Sequence, residues 1–193
     1  MKIISKDLNW REKHFKTDLD DKITPLACAA FLGRTRITEL LLENPLIDIN
    51  MTTEENDYTP LSAACMAGNY EIVKLLAENG ADINHENQIG QTPLLFCFSR
   101  MTETSNVYEN KNICIKIAEV LLQFGADINH FHHGKTLLMN FSGISMSLDP
   151  IQLEMNLEVV EFLIQHGADK NLKSKNSPYL SSVELANNHC ASV

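Results

Sequence analysis

One pattern of apolar and polar positions recurs along this chain, and its clearest copy occupies residues 59–84. A short helix with small side chains is predicted over 61–67, and Gly68 follows it as a turn residue. A second helix is predicted next, because the apolar residues within 72–76 have the spacing of one helical face. The copy closes with Gly80 and a turn rich in Asp and Asn. The pattern therefore predicts a helix–turn–helix unit.

The start of each unit has its own local signal. A threonine precedes Pro-Leu in three copies and Leu-Leu in the fourth; these threonines are Thr24, Thr59, Thr92 and Thr136. Threonine at this place caps a helix through its hydroxyl, and proline at the first helical position loses no hydrogen bond. Each unit ends on an Asp-x-Asn element, with the asparagines Asn50, Asn84, Asn129 and Asn171. One such pair of helices cannot bury its apolar face alone, so neighbouring units are expected to stack.

This pattern resembles the ankyrin repeat, which has a period of about 33 residues and a Thr-Pro-Leu opening. The step from Thr59 to Thr92 is 33 residues. The resemblance implies an all-α fold, an ankyrin-repeat solenoid of stacked helix–turn–helix units with short turn or β-hairpin connections. It gives an N-terminal cap segment at 1–18 and an ankyrin repeat domain at 19–193. Within the domain, the predicted repeats are 19–53, 54–86, 87–130 and 131–173, and a half-repeat cap follows at 174–193.

The third and fourth units are longer than the others. Their extra residues lie between the two helices, at about 101–112 and 143–155. Residues 102–106 read as a loop. In the fourth unit, Asp149 can cap a helix and Pro150 suits its first turn. We therefore expect a lengthened second helix, with one face formed by Leu153, Leu157, Val160 and Ile164.

The two ends of the chain depart from the repeat pattern. Residues 181–186 imitate the opening of a unit and then stop, which suits a half-repeat cap. Residues 4–15 permit either a short capping helix or an extended hairpin, and the pattern leaves both open. In either case, we expect Trp10 and Phe15 to cover the first repeat.

The composition and net charge of the chain limit the classes of partner that it can bind. The chain has a net charge of −9, from 16 basic and 25 acidic residues. An acidic surface repels phosphate, so nucleic acid and anionic membranes are poor partners. The sequence has no apolar run of about 18 residues and no secretory apolar segment near its start. We expect a soluble monomer in a reducing compartment, cytoplasmic or nuclear, or in a host cytosol if the protein is an effector.

The cysteines agree with that compartment. The chain has five, an odd number. Cys28, Cys65 and Cys97 fall in the small-residue first helices, where we expect buried reduced thiols. Cys114 and Cys190 are expected to be more exposed.

Candidate chemistry is sparse. The densest group is the histidine cluster at 130–133, with His85 at the matching place of an earlier unit. Zinc needs three or four converging ligands, and the chain has neither Cys-x-x-Cys nor His-Glu-x-x-His. The recurring aspartates suit a repeated turn, and Gly-x-Ser-x-Gly and phosphate-loop motifs are missing. We expect no catalytic residue, no metal and no cofactor.

The ankyrin resemblance also implies a function. Ankyrin repeats hold another protein on the surface formed by their turns and first helices. We therefore expect a non-catalytic module that binds a protein on its concave face. The alternatives are a stoichiometric enzyme inhibitor of the kinase type, or a bacterial or viral effector that acts in a host cell.

Carried onto this chain, the family's partner-binding positions are Ile23, Phe31, Leu32, Tyr58, Met66, Ile89, Arg100, His132 and His133. In a competing interpretation, residues 1–18 fold over this surface and make it core. Asn84 and Asn129 best fit the position that resembles the target of asparaginyl hydroxylases in ankyrin proteins. The family's histidine in the repeat opening is replaced in this chain, so we expect lower stability than in a consensus array; the residues at its position are Ala27, Ser62, Leu95, Met139 and Glu184.

Overall fold

The computed structural model describes residues 23–99, 107–142 and 150–175, with side chains described in 23–99, 111–142 and 153–175. Within these ranges the chain forms eight α-helices and no strand, which confirms the all-α class. The chain divides into two compact units, with the boundary between Ala126 and Asp127. Unit 1 comprises residues 1–126 and unit 2 comprises residues 127–193.

Unit 1 contains three successive pairs of helices. The pairs are α1 (Pro25–Phe31) with α2 (Thr35–Leu42), α3 (Pro60–Ala67) with α4 (Tyr70–Glu78), and α5 (Pro93–Ser99) with α6 (Val107–Gln123). The first helices pack in the order α1, α3, α5, and the second helices pack in the order α2, α4, α6. Each pair therefore stacks on the next, as the repeated pattern predicts.

The four opening threonines cap their helices. Each buried hydroxyl accepts a hydrogen bond from the backbone N–H three residues later, at 3.1 Å for Thr24 and Thr59, 3.4 Å for Thr92 and 3.3 Å for Thr136. Replacing such a cap by alanine typically costs about 1 kcal/mol. The predicted helix starts are thus confirmed.

The turn between the helices depends on glycine. Gly33 and Gly68 have φ of 68° and 73°, in the left-handed region. Just after Gly68, the Asn69 side chain donates to the carbonyls of Ala30 and Phe31, at 2.7 and 2.9 Å. These bonds satisfy carbonyls at the end of α1 and join the second repeat to the first. A polar link between repeats is therefore present, although the family's histidine is not.

The Asp-x-Asn elements form a second link. In all four, the aspartate Oδ1 accepts from the asparagine backbone N–H two residues later, at 2.8 to 3.0 Å. In unit 1, Asn50 Oδ1 then accepts from the N–H of Asp82 at 2.8 Å. In unit 2, Asn129 Oδ1 accepts from Asp169 at the same distance. The aspartate of each element thus shapes its own turn, and Asn50 and Asn129 each bond to the turn that follows.

Three buried cysteines lie in unit 1. The Cys97 thiol donates to the Cys114 carbonyl at 3.0 Å, and the Cys114 thiol donates to the Cys97 carbonyl at 2.8 Å. Cys65 is also fully buried, whereas Cys28 is half-buried. All four are free thiols. The expectation that Cys114 is more exposed is wrong, because its side chain packs between α5 and α6.

Unit 2 contains α7 (Leu137–Ser142) and α8 (Pro150–Gln165), which pack against each other. The sixteen residues of α8 confirm the lengthened second helix. The apolar face predicted for it, however, is not the buried one. Leu153, Leu157 and Ile164 are exposed; the buried residues are Met155, Asn156, Val159, Phe162 and Leu163.

The two predicted insertions are only partly within the described residues. α6 begins at Val107, so half of the segment at 101–112 is helix and lengthens α6 to seventeen residues. The loop predicted at 102–106 lies outside the described residues, as do the N-terminal cap at 1–18, residues 176–193 of the half-repeat cap, and Cys190. The repeat boundaries remain predictions.

Candidate partner-binding surface

The apolar positions of the first two repeats meet on α1 and α3. Ile23 packs with Ala27 and Ala63, and Phe31, Tyr58 and Met66 lie half-buried against this group. The small side chains of Ala27 and Ala63 leave room for the three larger side chains to lie across the helices. Ile23 itself is only 2% exposed. Its assignment to the exposed surface is therefore wrong, because it fills the space beneath the half-buried side chains.

Tyr58 is held by its turn. Its backbone N–H donates to Thr53 Oγ1 at 3.1 Å, and its carbonyl accepts from the Thr53 N–H at 2.9 Å. Asp57, just before it, has φ of 58°, and His85 Nε2 lies 3.0 Å from the Asp57 carbonyl oxygen. The Tyr58 ring meets Phe96 of the next repeat edge to face, with ring centroids 5.2 Å apart. The backbone of Tyr58 is thus held by its turn, and its ring packs against the third repeat.

Two further positions are more exposed. Leu32 caps the end of α1, and Ile89 lies at the tip of the turn between the second and third repeats, 58% exposed. Buried Asn87 shapes that turn, because its Oδ1 accepts from the N–H of Ile89 at 3.2 Å and of Gln91 at 2.8 Å. Sequence reasoning missed Asn87. An asparagine two residues before an exposed turn residue is the available signal, since this spacing is that of an Asx turn.

The predicted positions His132 and His133 belong to unit 2. His132 and Lys135 exchange backbone hydrogen bonds of 2.9 and 3.1 Å, and both residues between them have positive φ. This is the geometry of a two-residue hairpin turn. The two imidazole centroids are 4.0 Å apart. His133 is exposed and His132 is half-buried, while Arg100 lies outside the described residues.

The thiol nearest the surface of unit 1 is that of Cys28, which packs against the same group as Phe31. Burial raises the pKa of Cys28 and, more strongly, that of Cys65. Both thiols are therefore poor nucleophiles near neutral pH. In the part of the chain that the structure describes, no three His, Cys, Asp or Glu side chains are grouped so that they could hold a metal ion.

A comparison with protein families decides what these repeats are. A family model described as Ankyrin repeats (3 copies) matches residues 3–87 and 47–132, which together span more than half of the chain. The chain belongs to the ankyrin repeat family. No curated protein matches the sequence. Ankyrin repeats are generally protein–protein interaction modules.

The described helices are also informative about membranes. None of them is both long enough and apolar enough to cross a bilayer.

Proposed function

We propose that this ankyrin protein is a non-catalytic module that holds a partner protein on the face that unit 1 builds from its turns and first helices. The α1–α3 surface is defined as Phe31, Leu32, Tyr58, Met66 and Ile89. The observation that carries the proposal is the half-buried group of Phe31, Tyr58 and Met66 over small side chains. Large apolar side chains left partly open to solvent are typical of interfaces.

The composition of this surface suits protein binding. Phe31 and Tyr58 present rigid rings, so ordering them against a partner costs little side-chain entropy. Ile89, on its ordered turn, extends the apolar area toward the third repeat. His132 and His133 are proposed as contact positions of unit 2 by itself.

Asn84 and Asn129 are proposed as hydroxylation sites, on the strength of the resemblance alone. Asn84 Nδ2 donates to the Gly125 carbonyl at 2.9 Å, and Asn129 Oδ1 accepts from Asp169. Because both side chains bond to another turn, a modifying enzyme would have to open that turn to reach them.

The test of the binding surface replaces Phe31 and Tyr58 together by serine in the full chain. We expect capture of the partner from a cell lysate to weaken by about 30-fold, because central aromatic residues carry most of the binding free energy. The melting temperature should fall by only about 5 °C, since both rings are only half-buried and their removal leaves the buried residues beneath them in place. Activity assays on the captured protein then show whether binding inhibits it.

The matched control replaces Ile37 and Leu40 of α2 by serine. Both are about half exposed and lie outside the α1–α3 surface. This variant should bind like the original chain. Loss of cooperative unfolding in the Phe31 and Tyr58 variant would show that the two rings belong to the core, and equal binding by both double variants would place the interface elsewhere.

A further inference from the structure

Helix α8 carries an exposed apolar row. Leu153, Leu157 and Ile164 are 44%, 57% and 46% exposed, and Val160 between them is half-buried. The spacing of four, three and four residues places these side chains along one side of the helix. The opposite side is filled by Met155, Val159 and Leu163, which are fully buried. The helix is therefore apolar on two sides, and only one of them is covered.

The matching positions of α4 show what such a row does in this fold. Val160 and Ile164 precede Gly167 by the same numbers of residues as Val73 and Ala77 precede Gly80. In unit 1, α4 packs against both α2 and α6, and Val73 and Ala77 are buried there. The same places of α8 thus carry residues suited to a contact between neighbouring second helices. In α8, by contrast, Ile164 is 46% exposed and Val160 is only half-buried.

Charge indicates what could cover the row. Glu154, Glu158 and Glu161 are exposed, and their spacing aligns them in a second row beside the first. The sequence of α8 contains no Lys, Arg or Asp. A second copy of this chain would bring the same carboxylates to the contact, and each copy carries a net charge of −9. Like charges disfavour that pairing, whereas a basic partner would complement the row.

We propose that the α8 face binds an amphipathic helix of a partner protein, one with an apolar row flanked by Lys or Arg. The α8 face is defined as the apolar row together with Glu154, Glu158 and Glu161. From Leu153 to Ile164 the row extends about 16 Å, the length of about three helical turns. Docking of this kind uses apolar anchors at helical spacing, with charged flanks that select the partner. The α8 face shares no residue with the α1–α3 surface, and its occupant would lie against a second helix of a repeat.

The probe is a pair of synthetic helical peptides with leucines at the spacing of the α8 row. One peptide carries lysines beside the leucines and the other carries glutamates at the same positions. Binding to the full chain is measured by fluorescence anisotropy at low salt. We expect the lysine peptide to bind about tenfold more tightly, because two or three exposed charge pairs separate the two peptides.

Three variants test where the peptide binds and which charge the site prefers. Leu157→Glu should weaken binding of the lysine peptide by about 30-fold, because it places a carboxylate in the apolar contact. Leu40→Glu is the matched control; Leu40 is 52% exposed on α2, and this variant should bind normally. The double variant Glu154→Lys with Glu161→Lys changes only exposed side chains, so it should fold, and it should prefer the glutamate peptide.

Four outcomes would overturn the proposal. These are failure of the lysine peptide to bind, binding that Leu157→Glu leaves unchanged, a peptide preference that the double lysine variant does not reverse, and sedimentation that shows a dimer lost in Leu157→Glu. The last outcome would mean that a second copy of this chain occupies the α8 face.

Discussion

Cysteine chemistry in this protein is set residue by residue through burial. Cys28 is half-buried near the α1–α3 surface, whereas Cys65, Cys97 and Cys114 are fully buried. Desolvation raises the pKa of Cys28 and of Cys65. Because the thiolate is the reactive form, a raised pKa lowers the reactivity at a given pH, and complete burial also blocks the reagent.

We predict that, in a Cys190→Ser background, one thiol of the native protein reacts with an aromatic disulfide reagent near pH 8. Its rate should be lower than that of free cysteine and should still be increasing above pH 8.5, because the pKa of Cys28 is raised. All four remaining thiols should react in urea, and Cys28→Ser should remove the native reaction. Rapid native reaction of two or more thiols would contradict the burial of the other three.

At the scale of elements, the turn between the two helices of the first repeat lies against Asn69 of the second repeat. A Cβ on Gly33 would lie 3.0 Å from Asn69 Oδ1, and the Asn69 side chain is held by its two bonds to α1. A Cβ on Gly80 would meet nothing within 4 Å. Both glycines have positive φ, 68° and 84°, so alanine is strained at either place.

We therefore predict that Gly80→Ala costs about 1 kcal/mol in the free energy of unfolding, from backbone strain alone. Gly33→Ala should cost about 1 kcal/mol more, because the new methyl group displaces Asn69 from the carbonyls it bonds. Urea denaturation of both variants measures the difference. If Asn69→Ala removes that difference, the asparagine is its cause. Equal costs for the two glycine-to-alanine variants would mean that the Asn69 side chain moves away from the new methyl group without loss of stability.

The same elements show what sequence reasoning can reach. The helix starts were predictable, because the Thr-Pro-Leu signal acts within one turn of the chain. The bonds of Asn69 to α1 were not, because they depend on residues 38 and 39 positions away. The buried side of α8 was not predictable either. Leu153 and Met155 are both apolar, so periodicity alone cannot choose which row faces α7.

At the scale of the whole molecule, the repeat family was accessible from sequence because several local signals recur in register. The α1–α3 surface was only partly accessible. Phe31, Tyr58 and Met66 lie together as the resemblance implied, but Ile23 lies beneath them. The position of a residue within a repeat predicts which face of the helix it lies on. It does not predict how deeply the side chain is buried, because burial depends on the size of the neighbouring side chains, here Ala27 and Ala63.

The repeats differ in their number of residues, and the longer third repeat allows a test of how the fold accommodates the extra residues. Removing residues 101–112 would join Arg100 to Ile113 and give this repeat the length of the second one. Ile113 would then occupy the place of Gly68, which has φ of 73°. A β-branched residue is strained in that conformation. The deletion also removes Lys111, which is buried in the lengthened α6.

We predict that the deletion leaves a folded chain that is less stable by about 2 kcal/mol, part of it from strain at Ile113. Adding Ile113→Gly to the deletion should restore about 1 kcal/mol, because glycine accepts the left-handed turn. In the full-length chain, the same substitution lies within α6 and should instead destabilise by about 1 kcal/mol. Urea unfolding of the four proteins measures both effects. A destabilising effect in both backgrounds would show that the shortened repeat does not adopt the turn of the second repeat.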